Sequence, residues 1–104
     1  MTFADTLKEL PAVTHLAALQ LLNKAGTVVA VIENKLGTTG SLTVYAALTA
    51  RYGSINVTAA QTGLALFAEH TTDARAHPGS HPNIDRLLDV IASGQSFSVK
   101  LINA

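Results

Sequence analysis

Three of the chain's four histidines fall between positions 70 and 81, with an aspartate among them. If a helix runs through this region to His77, then His70, Asp73 and His77 stand at i, i+3 and i+7, on one face. His81 follows the turn and can fold back toward them. Two or three imidazoles and a carboxylate suit zinc, or a non-haem iron if two coordination positions stay open. The H-E-x-x-H spacing, which pairs two histidine ligands with a general base, is missing. A structural role explains the same residues with fewer demands. His77 favours the negative end of a helix dipole, Pro78-Gly79 stops the helix, and Pro82 opens the next one. The expectation is a structural junction and no cofactor, with His70, Asp73, His77 and His81 as the metal candidates to locate. The fourth histidine, His15, stands alone and reads as boundary packing or surface.

Other chemistry is thinner. Leu36-Gly37-Thr38-Thr39-Gly40-Ser41 leads into a helix, and free N–H groups at a helix start can hold an anion. A phosphate loop needs G-x-x-x-x-G-K-[ST], whereas Gly37 and Gly40 stand too close and no lysine precedes Ser41. A strand-to-helix connection capped by Ser41 accounts for the segment without a ligand. There is no cysteine, no G-x-S-x-G elbow and no Ser–His–Asp spacing that suggests a triad. Asp85 and Asp89 stand at i, i+4 beside Arg86, which reads as a solvated helix face rather than an acid/base pair. No catalytic residue emerges, and a non-enzymatic role is the expectation.

The elements that must position these residues follow from periodicity. Thr2 and Asp5 mark the start of a short N-terminal helix carrying Phe3, Leu7 and Leu10, which Pro11 ends. Two apolar runs, 16–22 and 27–33, flank Asn23-Lys24-Ala25-Gly26 and read as a hairpin rich in β-branched residues. Leu42, Tyr45, Leu48 and Tyr52 keep helical spacing up to Gly53. A long helix, capped by Asn56 or Thr58, is expected to run to His77 with Phe67 buried against the sheet. Ile84, Leu87, Leu88 and Ile91 define another helix that Ser93-Gly94 stops. Phe97, Val99 and Leu101 alternate with Ser98 and Lys100, as a half-buried strand does. The predicted fold is α+β, one domain over 1–104. It has a three-stranded antiparallel or mixed sheet, from the 16–33 hairpin and a strand at 96–102. Helices at about 41–52, 57–77 and 83–93 pack on one face, and the short N-terminal helix completes the chain.

Gly40-Ser41-Leu42-Thr43-Val44-Tyr45, Phe67-Ala68-Glu69-His70 and His77-Pro78-Gly79-Ser80-His81-Pro82-Asn83-Ile84-Asp85 together carry a resemblance. The chain resembles a family of short proteobacterial proteins known only as a domain of unknown function. The likeness runs nearly end to end, and the histidine-proline segment is its most specific part. The resemblance implies a bacterial origin and a stand-alone domain. It assigns no catalytic or binding residue.

Composition narrows the partners. The 104 residues are 48% hydrophobic and 13% charged, which excludes disorder, and seven basic residues balance seven acidic ones. The cations are scattered singly, so no nucleic-acid partner is expected. No stretch nears the roughly 18 apolar residues of a membrane span, and no secretory leader is read at the N-terminus. A cytoplasmic location, with no membrane association, is the expectation. The hairpin is apolar in both phases, so one sheet face should lie under the helices and the other should want the short N-terminal helix, a second subunit, or both as its cover. A homodimer, or docking to another protein, is therefore the leading functional expectation. The alternative is a small-molecule or metal-binding protein that uses the His70/Asp73/His77/His81 segment.

Overall fold

The first helix opens on a reciprocal cap. In a computed structural model describing residues 1–104, the Thr2 hydroxyl accepts from the Asp5 N–H and the Asp5 carboxylate accepts from the Thr2 N–H, both at 3.2 Å. These bonds satisfy two N–H groups at the start of α1 (Phe3–Glu9). After Pro11 come β1 (Leu16–Leu22) and β2 (Val28–Glu33), an antiparallel hairpin. The Asn23 side chain ties its turn by accepting from the N–H groups of Ala25 and Thr27, each at 3.0 Å. The C-terminal strand β3 (Ser98–Asn103) pairs antiparallel with the other edge of β1, giving the order β2-β1-β3. The sheet is therefore wholly antiparallel, and the chain's first strand is its centre.

Four more helices fill the span between β2 and β3. They are α2 (Thr39–Tyr52), α3 (Val57–Phe67), α4 (Glu69–Ala76) and α5 (Pro82–Ser93). Gly53 and Gly94 end α2 and α5 in the left-handed conformation, where a side chain would be strained. Asn56, rather than Thr58, caps α3 by accepting from the Ala59 N–H at 2.8 Å. α2 lies against β1 and β2, and α3 packs on α2 and α5. The buried cluster runs from Leu19, Leu21 and Ile32 of the sheet to Leu42, Tyr45, Leu48, Ile84, Leu87 and Val90 of the helices. Gly63 permits this nesting. A Cβ there would sit 2.7 Å from Leu87 Cδ1 and 2.9 Å from Leu48 Cδ1, inside van der Waals contact. No helix is long and apolar enough to cross a membrane.

Three expectations need correction. The helix expected over 57–77 is two helices broken at Ala68, which takes φ 53° and ψ −121°. A continuous helix would give the Leu64 carbonyl to the Ala68 N–H. Here that N–H turns to Ala65, and the Thr71 hydroxyl takes the Leu64 carbonyl at 2.6 Å. The polar side chain thus satisfies the acceptor that the break releases. Ser41 is not a cap: α2 begins two residues earlier, at Thr39, so Ser41 lies within its first turn. Last, the second sheet face is less apolar than the hairpin alone implied. Register places Gln20 between Val31 and Lys100, and Ala18 between Glu33 and Ile102. α1 packs on α2 and α3, among the helices, so it does not cover this face. Val28, Val29 and Val31 remain 43–50% exposed.

Candidate functional site: a cleft where two helices begin

The break at Ala68 re-aims α4. It brings Glu69 to the start of α1, where a Glu69 carboxylate oxygen accepts from the Phe3 N–H at 2.7 Å. That bond and the N–H of Glu69 itself, the larger effect, hold this carboxyl below its ordinary range. Phe3 is thereby seated on Phe67, rings stacked at 5.4 Å, with His70 edge-on to it at 5.0 Å. Phe67 is buried as expected, 2% exposed, but the expected cover is the sheet, whereas α3 packs on the helices α1, α2, α4 and α5. The ring partner of Phe67 is α1.

Asp73, one turn along α4, holds two imidazoles. Its Oδ2 lies 2.7 Å from His81 Nε2 and its Oδ1 lies 3.1 Å from His77 Nδ1. The bond from His81, then that from His77, lowers the carboxyl's affinity for a proton; partial desolvation opposes them. An ionised carboxylate only accepts, so His81 carries its proton on Nε2. The 77–81 turn is fastened by Asp85, which accepts from the Gly79 N–H at 2.9 Å, and by Ser80, which donates to the His77 carbonyl at 2.7 Å. His81 is the residue before α5, and Pro82 is the first within it.

Tyr45, midway along α2, locks that helix to the start of α5. Its buried hydroxyl donates to the Asn83 carbonyl, and Arg86 donates to that hydroxyl at 3.2 Å and to the Asn83 side chain at 2.8 Å. Burial pushes the phenol up to about 12, and the nearby Arg86 cation only moderates this. Nothing in the sequence pointed to this trio, because Tyr45 stands 38 positions from Asn83 and 41 from Arg86 and no motif links them.

Between these elements lies a cleft of about 580 Å³. Phe3 and Phe67 provide apolar walls, His70 and His81 line it, and the 36–41 loop faces the 80–84 segment across it. No Asp, Glu, Lys or Arg lines it. Neither Thr38 nor His81 caps its helix with a side-chain bond. The Thr38 and Thr39 hydroxyls are spent on Glu33, Asn34 and Lys35. The first-turn N–H groups of Gly40, Ser41 and Asn83 have no backbone partner. Such groups are the orphan donors of helix starts, and they sit at the positive ends of the helix dipoles.

The structure thus links all four candidates, His77 and His81 through Asp73 and His70 through the His81 ring, but only His70 and His81 line the cleft. His70 and His81 are 5.4 Å apart between ring centroids and face the cleft. Asp73 stands behind His81, and the His77 side chain is 70% exposed beyond it. These contacts have hydrogen-bond lengths, and no three of the chain's His, Asp and Glu groups are arranged to hold a metal ion. The 36–41 loop and the histidine segment look unrelated in sequence. They form opposite walls of one site, an adjacency visible only in three dimensions.

The chain matches, over residues 3–101, the model of a family described as an uncharacterized protein conserved in bacteria, DUF2322. It belongs to that family. Comparison with curated proteins and with solved structures gives no match.

Proposed function

We propose that this bacterial family member is a small-molecule-binding module that seats its ligand between the starts of α2 and α5. The observation that supports the reading is the cleft's composition. An aromatic wall of Phe3 and Phe67 stands beside unpaired donors at Gly40, Ser41 and Asn83 and two imidazoles, in a volume of about 580 Å³. Ligand pockets typically enclose about 300–1,000 Å³ and combine apolar walls with a few convergent polar groups. A fragment screen read by amide NMR tests it. Hits should move the Gly40, Ser41 and Asn83 resonances and be lost in Ser41→Phe, which fills the site. Hits that leave those three amides unmoved would sink the reading.

The bare sheet face favours a second reading. We propose that the chain also forms a two-fold homodimer through this face, using the exposed valines of β2. An apolar strand with a free edge invites pairing unless charge or proline blunts it, and Val28–Ile32 carries neither. Sedimentation equilibrium at micromolar concentration should give twice the 10.8 kDa chain mass. Val31→Lys should return the protein to a monomer. A single species at the chain mass in the wild type removes this reading and leaves the cleft untouched.

A further inference from the structure

We infer that the ligand of this cleft carries an anionic head, a carboxylate or comparable oxyanion, and that it binds with uptake of a proton at His81; the inference rests on the reading of the cleft as a ligand site. The lining supplies donors without a fixed charge. It holds no acidic side chain to repel an anion and no lysine or arginine to bind one permanently. Its chargeable groups are the two imidazoles.

Their states differ by geometry. His81 Nε2 is committed to Asp73 Oδ2 at 2.7 Å, so Nδ1 is the ring nitrogen left for a ligand. In the neutral ring that atom is a lone pair, which repels an oxyanion. In the imidazolium it is an N–H, and Asp73 on the far side supplies the countercharge. The His70 ring touches Phe3 and His81 through its faces and edges alone, so its donor can turn to the same ligand. The charged groups near the pair are Glu69, held by the Phe3 N–H; Asp73, shared with His77; Asp85, bonded to the Gly79 N–H of the turn; and Arg86, spent on Tyr45 and the Asn83 side chain. The lining stretches of α1, α2 and α5 bring no charged side chain to the cleft. A neutral His81 would instead select a ligand that donates. Protonation state therefore sorts ligand classes at this site.

Three probes of one shape test the inference: benzoate, benzamide and benzylammonium, titrated into the whole protein and followed by the His70 and His81 ring resonances. Benzoate should bind saturably at millimolar concentration near pH 6, about tenfold more tightly than benzamide, the scale of one charge-assisted hydrogen bond. Its affinity should fall by a similar factor toward pH 8, over the range in which histidine loses its charge. Calorimetry in buffers of different ionisation enthalpy should register the proton taken up. His81→Gln should abolish the pH dependence, and the wild-type pH series stands alone if that variant does not fold. Benzamide or benzylammonium binding as tightly as benzoate would overturn the anionic class while leaving the cleft a ligand site. Benzoate bound equally well at both pH values would overturn the proton uptake. Silence of both histidines toward all three probes would end the inference and the cleft reading together.

Discussion

Ala68 holds φ 53° and ψ −121° between two helices, a conformation that suits glycine and strains any residue with a Cβ. Such a residue costs on the order of 1–3 kcal/mol. Ala68→Gly relieves that strain. Against it stand the greater freedom of glycine in the unfolded chain, about 0.4–1 kcal/mol, and the loss of one half-buried methyl, a few tenths of a kcal/mol at about 25 cal/mol per Å². The balance is a gain of about 1 kcal/mol, and a domain of this size converts that to a rise in Tm of roughly 4–8 °C. Scanning calorimetry at neutral pH reads it directly. The control is Ala65→Gly, three residues earlier on an exposed position of α3. There glycine only weakens a helix, at a cost of about 1 kcal/mol. The two substitutions should move Tm in opposite directions. If Ala68→Gly lowers Tm as Ala65→Gly does, the chain does not turn at Ala68 and the placement of α4 fails with it.

Gly63→Ala should destabilise despite alanine's better helix propensity. That propensity is worth about 1 kcal/mol, whereas overpacking against the buried Leu87 and Leu48 methyls at 2.7 and 2.9 Å costs about 1–3 kcal/mol; a higher Tm would show that α3 does not nest there. Tyr45 should make the fold sensitive to alkali. Its folded value of about 12 lies above the ordinary 10.0, so the neutral phenol's contribution is whole below pH 10 and is lost as pH rises through the folded value, up to roughly 3 kcal/mol. Tyrosinate absorbance that grows at pH 11 without unfolding would contradict that burial. Asp73 has the opposite sign. Its lowered folded value gives a stability present above the ordinary 3.8 and lost as pH falls through the folded value. The Tm gap between wild type and Asp73→Asn should therefore be open at pH 6 and close in acid, and a gap independent of pH would show the His81 bond to be absent.

Much of the fold is legible along the chain because its signals are local. Thr2 and Asp5 cap α1 within one turn, and Gly53 and Gly94 stop their helices. Alternation in 98–101 announces a strand whose register then follows from β1. The break at Ala68 was not legible. Alanine is the strongest helix former, and the group that stabilises the break, the Thr71 hydroxyl on the Leu64 carbonyl, stands seven residues from its acceptor. Ser41 misleads for a related reason. Its type suits a cap, but the bonds of Thr38 and Thr39 to Glu33, Asn34 and Lys35 start the helix two residues sooner.

The sequence by itself determined the class, the three strands, most helix boundaries and the segment where the histidines gather. Each depends on interactions within a turn of helix or a pair of alternating positions, whose range is a few residues. Tertiary structure alone decided that β1 is central and that α1 joins the helices. It alone set the starts of α2 and α5 across one cleft, with His70 and His81 on its wall and His77 outside. Those outcomes rest on contacts between residues far apart in the chain, such as Phe3 with Glu69 and Tyr45 with Asn83. Such contacts form only where burial and hydrogen bonding together repay the entropy of closing long loops.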